Sequence, residues 1–446
     1  MTIYIMLPSL VSMQFISGLE RILYMDIIEK ILALLEKGQQ QEALIEYKKI
    51  LNNGSAEEKF SLAEELFQFG FIDEAKALYE NLLQAYPDEG ELLVLLAETC
   101  IELGDEDQAM LALEKVTPAD SSYPQALLLL ADLYQINGLY EVSEQKLKSA
   151  KQLLPDEVVI DFAMGELYAE QGKVTEAIRA YQAVLLQETE IAGVIIHQRI
   201  ADILSSSGSF EEALPHYEQA LNEKLEINTL FGYAFTALQA GFNRTAIEKF
   251  NEIKSLDPDY HSLYLPLAKA YEREEQLLQS FETVKEGIRQ DEFNKDLFFY
   301  GGKIALKLAE EDEAERLFRE ALALDPAFTE AALTLNKLFI KQERYENVID
   351  LIKELDIQEE EEPQLIWDEA LALQNLEKYS HALNKYEHAY TFFKNDHEFL
   401  NDYGYFLIEE GKNAKAAEIF IKLLKGDPSN EDYQQMIERL TDELPK

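Results

Sequence analysis

Six cations pose the first chemical question. Lys269, Lys303 and Lys337 stand 34 residues apart, and Arg273, Lys307 and Lys341 follow each of them by four. Spacing of four puts both members of a pair on one face of a helix. Ammonium and guanidinium groups in such a row hold carboxylates through charge-assisted hydrogen bonds. Each lysine also has an apolar neighbour four residues earlier, Leu265, Phe299 or Leu333, so the ligand that suits the row presents acidic and apolar side chains alternately. The same position upstream is acidic: Glu64, Glu98, Asp132, Glu166 and Asp202. A solvated face accounts for an acidic row in a chain with 85 acids and 40 bases. It accounts poorly for six cations so closely grouped.

Bond-making chemistry finds little to work with. Gly301-Gly302 opens no phosphate-binding pattern, no glycine-rich loop ends in Lys-Ser or Lys-Thr, and there is no Cys-x-x-Cys. His381 and His388 lie seven apart with His397 beyond them, whereas metal ligands on one helix usually sit four apart, so these read as singly placed histidines. The carboxylates are spread evenly and single out no acid and base pair. No catalytic, cofactor or metal residue is assigned, and a non-enzyme is expected.

The elements that must position the cations show up as a period. A small residue recurs at 43, 75, 109, 143, 177, 213, 246, 280, 314, 348, 382 and 416; nine are Ala, two are Ser and one is Val348. Four residues after this anchor a ring recurs, as in Tyr47, Tyr79, Tyr181, Tyr217, Phe250, Phe318, Tyr386 and Phe420. Twelve before it lies a second small site, from Ala63 and Ala97 to Gly302, Ala370 and Gly404, which Asn336 weakens in the tenth repeat. Five before it, Gly38, Gly70, Gly104, Gly138, Gly172, Gly208, Gly241 and Gly411 mark a turn, while Glu275, Ala309, Glu343 and Glu377 replace glycine in four consecutive units. Each unit reads as two short amphipathic helices, best seen in Lys295 to Phe328.

These small, aromatic and glycine positions, with Pro87, Pro155, Pro258, Pro326 and Pro428 marking the gap to the next unit, resemble the tetratricopeptide repeat (TPR) over about 400 residues. The resemblance implies an all-α fold: a right-handed superhelical α-solenoid of about twelve helix-turn-helix repeats, residues 25–424, closed by a C-terminal capping helix within 425–446. It also implies that the first helices line a concave groove that grips an extended peptide or a partner's helix. The site fifteen before the anchor touches peptides in that family; here it holds Phe60, Phe162, Phe231, Phe299 and Trp367, with Val94, Leu128, Leu265 and Leu333 elsewhere. These residues suit groove floor and ordinary helix packing equally well. The Lys and Asn clamp by which co-chaperones of the family hold a terminal carboxylate is not matched. Within the array the step stretches to 36 around Ile191 to Val194, a place where the superhelix should loosen, and the acidic run Glu359 to Glu362 before Pro363 reads as an inter-repeat turn.

Composition agrees with a binding protein. With 446 residues, 47% of them apolar, the chain can bury a large core, while 28% charged residues and a net charge of -45 make its surface repel phosphate backbones and anionic lipid. Neither nucleic acid nor a membrane is therefore expected as a partner. One cysteine, Cys100, allows no internal disulfide, fits a reducing compartment and reads as a small buried core residue. Residues 1–24 are apolar, interrupted by Pro8, and fit neither a secretory signal nor a spanning helix; they read as a start placed too early, with Met25 the true first residue. The expectation is a cytoplasmic, non-catalytic scaffold or adaptor that binds a protein or peptide, with Lys269, Arg273, Lys303, Lys307, Lys337, Lys341, Phe231, Phe299 and Trp367 at the contact. A peptide-sensing receptor that controls a response regulator is the second reading; members of that kind usually place a helical bundle ahead of the repeats.

Overall fold

In most repeats a small residue of the first helix receives a ring from the second helix. The computed structural model, which describes residues 18–355 and 362–442, holds twelve helix pairs, from Gly18–Glu36 with Gln40–Asn53 to His397–Glu409 with Asn413–Gly426. A last helix, Glu431–Asp442, lies on the twelfth pair: Tyr433 is buried 5.8 Å from the Phe420 ring, and Leu440 is buried as well. The protein is an all-α repeat solenoid. By contacts the chain divides into two compact units, Met1–Gly232 and Tyr233–Lys446.

The close approach of the two helices explains why the small sites must be small. A Cβ on Gly165 would lie 2.7 Å from Cε1 of Tyr181, and one on Gly302 would lie 2.5 Å from Cε1 of Phe318. Both rings are fully buried, and so are the anchors Ala177 and Ala314 beneath them. Burying such a ring is worth about 2 kcal/mol. Cys100 belongs to this core in the first unit, where burial pushes its thiol up.

The turns are held by a shared pair of backbone bonds. At Gly70 the N–H groups of Gly70 and Phe71 donate to the carbonyls of Phe67 and Leu66, at 3.0 and 2.8 Å. This closure requires a left-handed residue after the first helix, which glycine adopts without a Cβ clash. Glu275, Ala309, Glu343 and Glu377 adopt the same conformation, at φ 59, 61, 57 and 57°, and Ala309 and Glu310 make the matching bonds to Leu306 and Ala305 at 3.1 and 2.9 Å. Loss of glycine in four repeats therefore changes the cost of the turn and leaves its shape.

Three local expectations resolve differently. The 36-residue step holds a small hairpin: Glu190–Ile191 pairs antiparallel with Val194–Ile195 around the positive-φ residues Ala192 and Gly193, and Ile191 and Ile195 are buried. Of the acidic run, residues 359 to 361 lie outside the described residues; Glu362 accepts from the Gln364 N–H at 3.4 Å and Pro363 opens the next helix. The first helix begins at Gly18 and runs through Met25; of residues 1–24, read as a start placed too early, residues 1–17 lie outside the described residues.

Two substitutions should move stability in opposite directions. Gly302→Ala gains up to about 1 kcal/mol of helix propensity, but the overpacking against Phe318 costs roughly 1 to 3 kcal/mol, so its urea midpoint should fall. Ala309→Gly removes a left-handed strain of about 1 kcal/mol or more, so its midpoint should rise. Shifts of the same sign in the two variants would contradict the packing and turn accounts together.

Candidate functional site

The row eleven residues before the anchor lies on the first helices, and its residues interact with the repeat that follows. In the second unit Lys269, Lys303 and Lys337 are all exposed. Lys269 Nζ stands 5.8 Å from the centre of the Tyr300 ring. Lys303 Nζ is 5.2 Å above the Phe299 ring and 3.9 Å from Glu330, an open pair with the two side chains 45% and 66% exposed. Lys337 acts on Asp368, whose carboxyl is nonetheless pushed up because burial outweighs its hydrogen bonds from Gln364 and Asn336 and the field of Lys337.

The companion row four residues on points back to the preceding repeat. Arg273 Nη1 donates to the carbonyl of Leu238 at 2.6 Å, Lys307 pairs with Glu272 at 2.5 Å, and Lys341 pairs with Glu311 at 2.7 Å. Glu272 is thereby held below the usual carboxylate range, despite the burial that opposes the effect, with Tyr300 also donating to it. These three cations tie neighbouring repeats together. Lys269 and Lys303 make only the longer contacts, over rings and with the open Glu330.

The aromatic row occupies a deeper layer. Phe162 and Phe299 lie 6.0 and 5.8 Å from Tyr181 and Phe318, the rings four after the anchor of the same repeat. Phe162 is fully buried, while Phe299 and Trp367 keep 7% and 9% exposure. Trp367 packs against Phe393 and Phe399 and hydrogen-bonds Asp402. Phe231 and Phe60 are half-buried, Phe60 against Tyr79 at 6.4 Å. Helix packing thus explains most of this row, and Phe299 connects it with the cations because Lys303 stands over it.

In the first unit the same row is acidic and partly sunk between repeats. Gln125 donates to Glu98 at 2.9 Å, and Arg199 grips Glu166 through two nitrogens, one of them at 2.8 Å. Tyr217 donates to Asp202 at 2.7 Å. Burial raises Glu98 and Asp202 above their ordinary values. Asp132, half-buried, is pushed up to about 6, first by burial and then by Glu106 and Glu170.

A histidine pair escaped the sequence reasoning. His197 of helix Ile196–Ser206 and His216 of helix Phe210–Glu223 bring their Nδ1 atoms to 2.9 Å. They are 19 residues apart, as are Phe60 and Tyr79, Phe162 and Tyr181, and Phe299 and Phe318, so the spacing that marks ring contacts between paired helices would have found them. His397 lies beside Tyr433, and His388 beside Phe392. Among the described residues no group of three or more His, Cys, Asp or Glu could hold a metal ion, and no helix is long and apolar enough to cross a membrane.

Paired helices with small and aromatic sites in a 34-residue register, and first-helix rows left to carry charge, define the class: a tetratricopeptide-repeat protein. Residues 135–189 match the family described as YpiA-like tetratricopeptide repeats and residues 363–430 its C-terminal repeats, while 66–133 and 195–225 match general tetratricopeptide repeats. The TPR repeat-containing protein YpiA of Bacillus subtilis (strain 168) is 43% identical over 420 residues, which covers 94% of this chain and 99% of that protein. The chain belongs to the YpiA-like tetratricopeptide-repeat family. Among solved structures, a tetratricopeptide repeat protein from Parabacteroides merdae ATCC 43184 aligns over 56% of this chain and 99% of its own, at 20% identity and TM-score 0.39. YrrB, a TPR protein with an unusual peptide-binding site, aligns over 42% and 95%, at 13% identity and TM-score 0.36.

Asp132 supplies a test of the acidic row. Its proton is held more tightly in the folded protein, near pH 6, than in an unfolded chain, near 4. Ionisation therefore costs stability as pH rises through about 6, and the loss is absent below about 4. Discounted for solvent screening, the cost at pH 7 is roughly 1 to 2 kcal/mol. Asp132→Asn should raise the urea midpoint at pH 7 and have little effect at pH 4; the same change at both pH values would refute the burial account.

Proposed function

We propose that this chain is a non-catalytic cytoplasmic scaffold or adaptor that holds an extended peptide or partner segment against the first helices of its second unit. Lys269, Lys303 and Lys337 supply the charge contacts, and the segment presents acidic side chains at intervals with apolar ones between them. One observation carries this reading: all six cations are exposed, but Arg273, Lys307 and Lys341 make short contacts with adjacent repeats, whereas Lys269 and Lys303 meet rings and the open Glu330 at longer range. Exposed cations above a ring, as Lys303 is above Phe299, provide a contact that is apolar at its base and charged at its tip. The aromatic row acts through the shape of the surface, with Phe299 and Trp367 setting the floor.

The charge contacts set the expected magnitude. Exposed ion pairs are worth roughly 0.5 kcal/mol each, so three together amount to about a tenfold change in affinity. A fluorescent twelve-residue peptide alternating Glu and Leu should bind the wild type, weaken as salt screens the contacts, and lose about tenfold on the triple variant Lys269→Glu, Lys303→Glu, Lys337→Glu. Helicity should stay nearly constant, because exposed substitutions typically move stability by less than about 0.5 kcal/mol each. Equal affinity of the wild type and the triple variant for this peptide would return the row to a solvated face.

A further inference from the structure

The imidazoles of His197 and His216 meet head to head between the two helices of the sixth repeat. Their Nδ1 atoms lie 2.9 Å apart, their ring centroids 5.1 Å apart, and their planes are inclined by 36°. One Nδ1–H donates to the lone pair of the other Nδ1, so the contact holds a single proton between the two nitrogens. A first added proton goes to Nε2 of the donor ring and makes the bond charge-assisted. A second finds only the acceptor Nδ1 free, where it sets N–H against N–H and one positive ring against another. Among the described residues neither ring has another hydrogen bond or any ion pair.

The charged groups on the surrounding elements are engaged elsewhere or in water. Arg199, on the His197 helix, is bound to Glu166 of the preceding repeat, and Asp202 accepts from Tyr217 of the His216 helix. Glu211, Glu212, Glu218 and Glu223 of the His216 helix are exposed, as are Glu188 and Glu190 beside the hairpin and Glu176 and Arg179 of helix Val174–Val184; Ile227–Gln239 carries no charged side chain. Pro215, next to His216, lacks the N–H that would bond the carbonyl of Glu211, so this helix depends more on its side-chain contacts. We propose that the His197–His216 hydrogen bond is a pH-sensitive latch between the two helices of the sixth repeat, closed while the pair carries at most one positive charge and opened by the second proton in mildly acidic solution. Burial first, and the His197 ring second, lower His216 below its ordinary value of 6.5. The unfolded chain takes up both protons near that pH, whereas the folded pair accepts the second only at lower pH. Below about 6.5 the unfolded form therefore binds more protons, and the latch loses stability as pH falls. Stacking confines the loosening to this repeat and those beside it.

Hydrogen exchange on the full-length protein, corrected for the intrinsic pH dependence of amide exchange, compares residues 196–223 with residues 295–324 between about pH 7.5 and pH 5. The opening equilibrium of 196–223 should rise below about 6.5 by up to about tenfold per pH unit, the effect of one proton. His216→Phe keeps a ring and loses the titration, so its opening should vary with pH no more than that of 295–324. The titration of Asp132, of opposite sign, is common to both proteins and cancels between them. An equal rise in His216→Phe, or in both segments of the wild type, overturns the latch. Nitrogen NMR of the 15N-histidine wild type tests it even if the variant fails to fold: at pH 7.5 one neutral ring should carry its proton on Nδ1, and protons on Nε2 in every neutral histidine overturn the proposal.

Discussion

The contact between a buried ring four residues after the anchor and a small residue twelve before it sets every other feature of the fold. It fixes how close the two helices of a repeat approach, and hence which positions tolerate a side chain. Gly165 under Tyr181 and Gly302 under Phe318 leave no room even for a methyl group. Where a repeat departs from the rule, the polar atom brought in is used in some repeats, while the Ser143 hydroxyl is buried without a partner among the described residues. Ser280, at an anchor position, donates to the carbonyl of Ala268 at 2.8 Å, within the site that usually holds only apolar atoms. In the tenth repeat Val348 and Asn336 are both fully buried, and Asn336 Nδ2 donates to Asp368 Oδ2 of the next repeat at 3.3 Å. The weak repeat therefore replaces part of its internal packing by a polar tie to its neighbour, as repeat stacking permits.

How far the sequence revealed this architecture depends on whether a signal recurs. Small residues, rings and turn glycines repeat at one spacing, so helix pairs and their register could be read directly, and the four repeats without a turn glycine followed the same pattern because backbone hydrogen bonds impose the left-handed residue at Glu275, Ala309, Glu343 and Glu377. The charge row was equally visible, but its meaning was not. Nothing in the order of residues says that Lys307 meets Glu272 or that Arg273 reaches a backbone carbonyl, since those partners lie one repeat away and depend on side-chain reach. The His197 and His216 contact occurs once and so left no periodic trace, although the 19-residue rule contained it. The hairpin at Glu190 to Ile195 was legible only as a broken period, because two extra residues can be absorbed in several ways.

The two charge rows show how stacking leaves some positions free for recognition. A residue eleven before the anchor is placed to interact with the following repeat, and in several repeats a complementary partner stands there, although Asp132 faces the like charges Glu106 and Glu170. Glu98 receives Gln125 and Glu166 receives Arg199, and these acids are drawn partly out of water. Lys269 faces the Tyr300 ring and Lys303 an exposed, distant Glu330, partners that leave the ammonium groups hydrated. Hydrated charge costs little to redirect toward a new partner, whereas a carboxylate already desolvated and hydrogen-bonded between repeats must first lose those bonds. On the proposed reading a ligand therefore engages the exposed lysines, and not the more numerous acids, even on a protein whose overall charge is strongly negative.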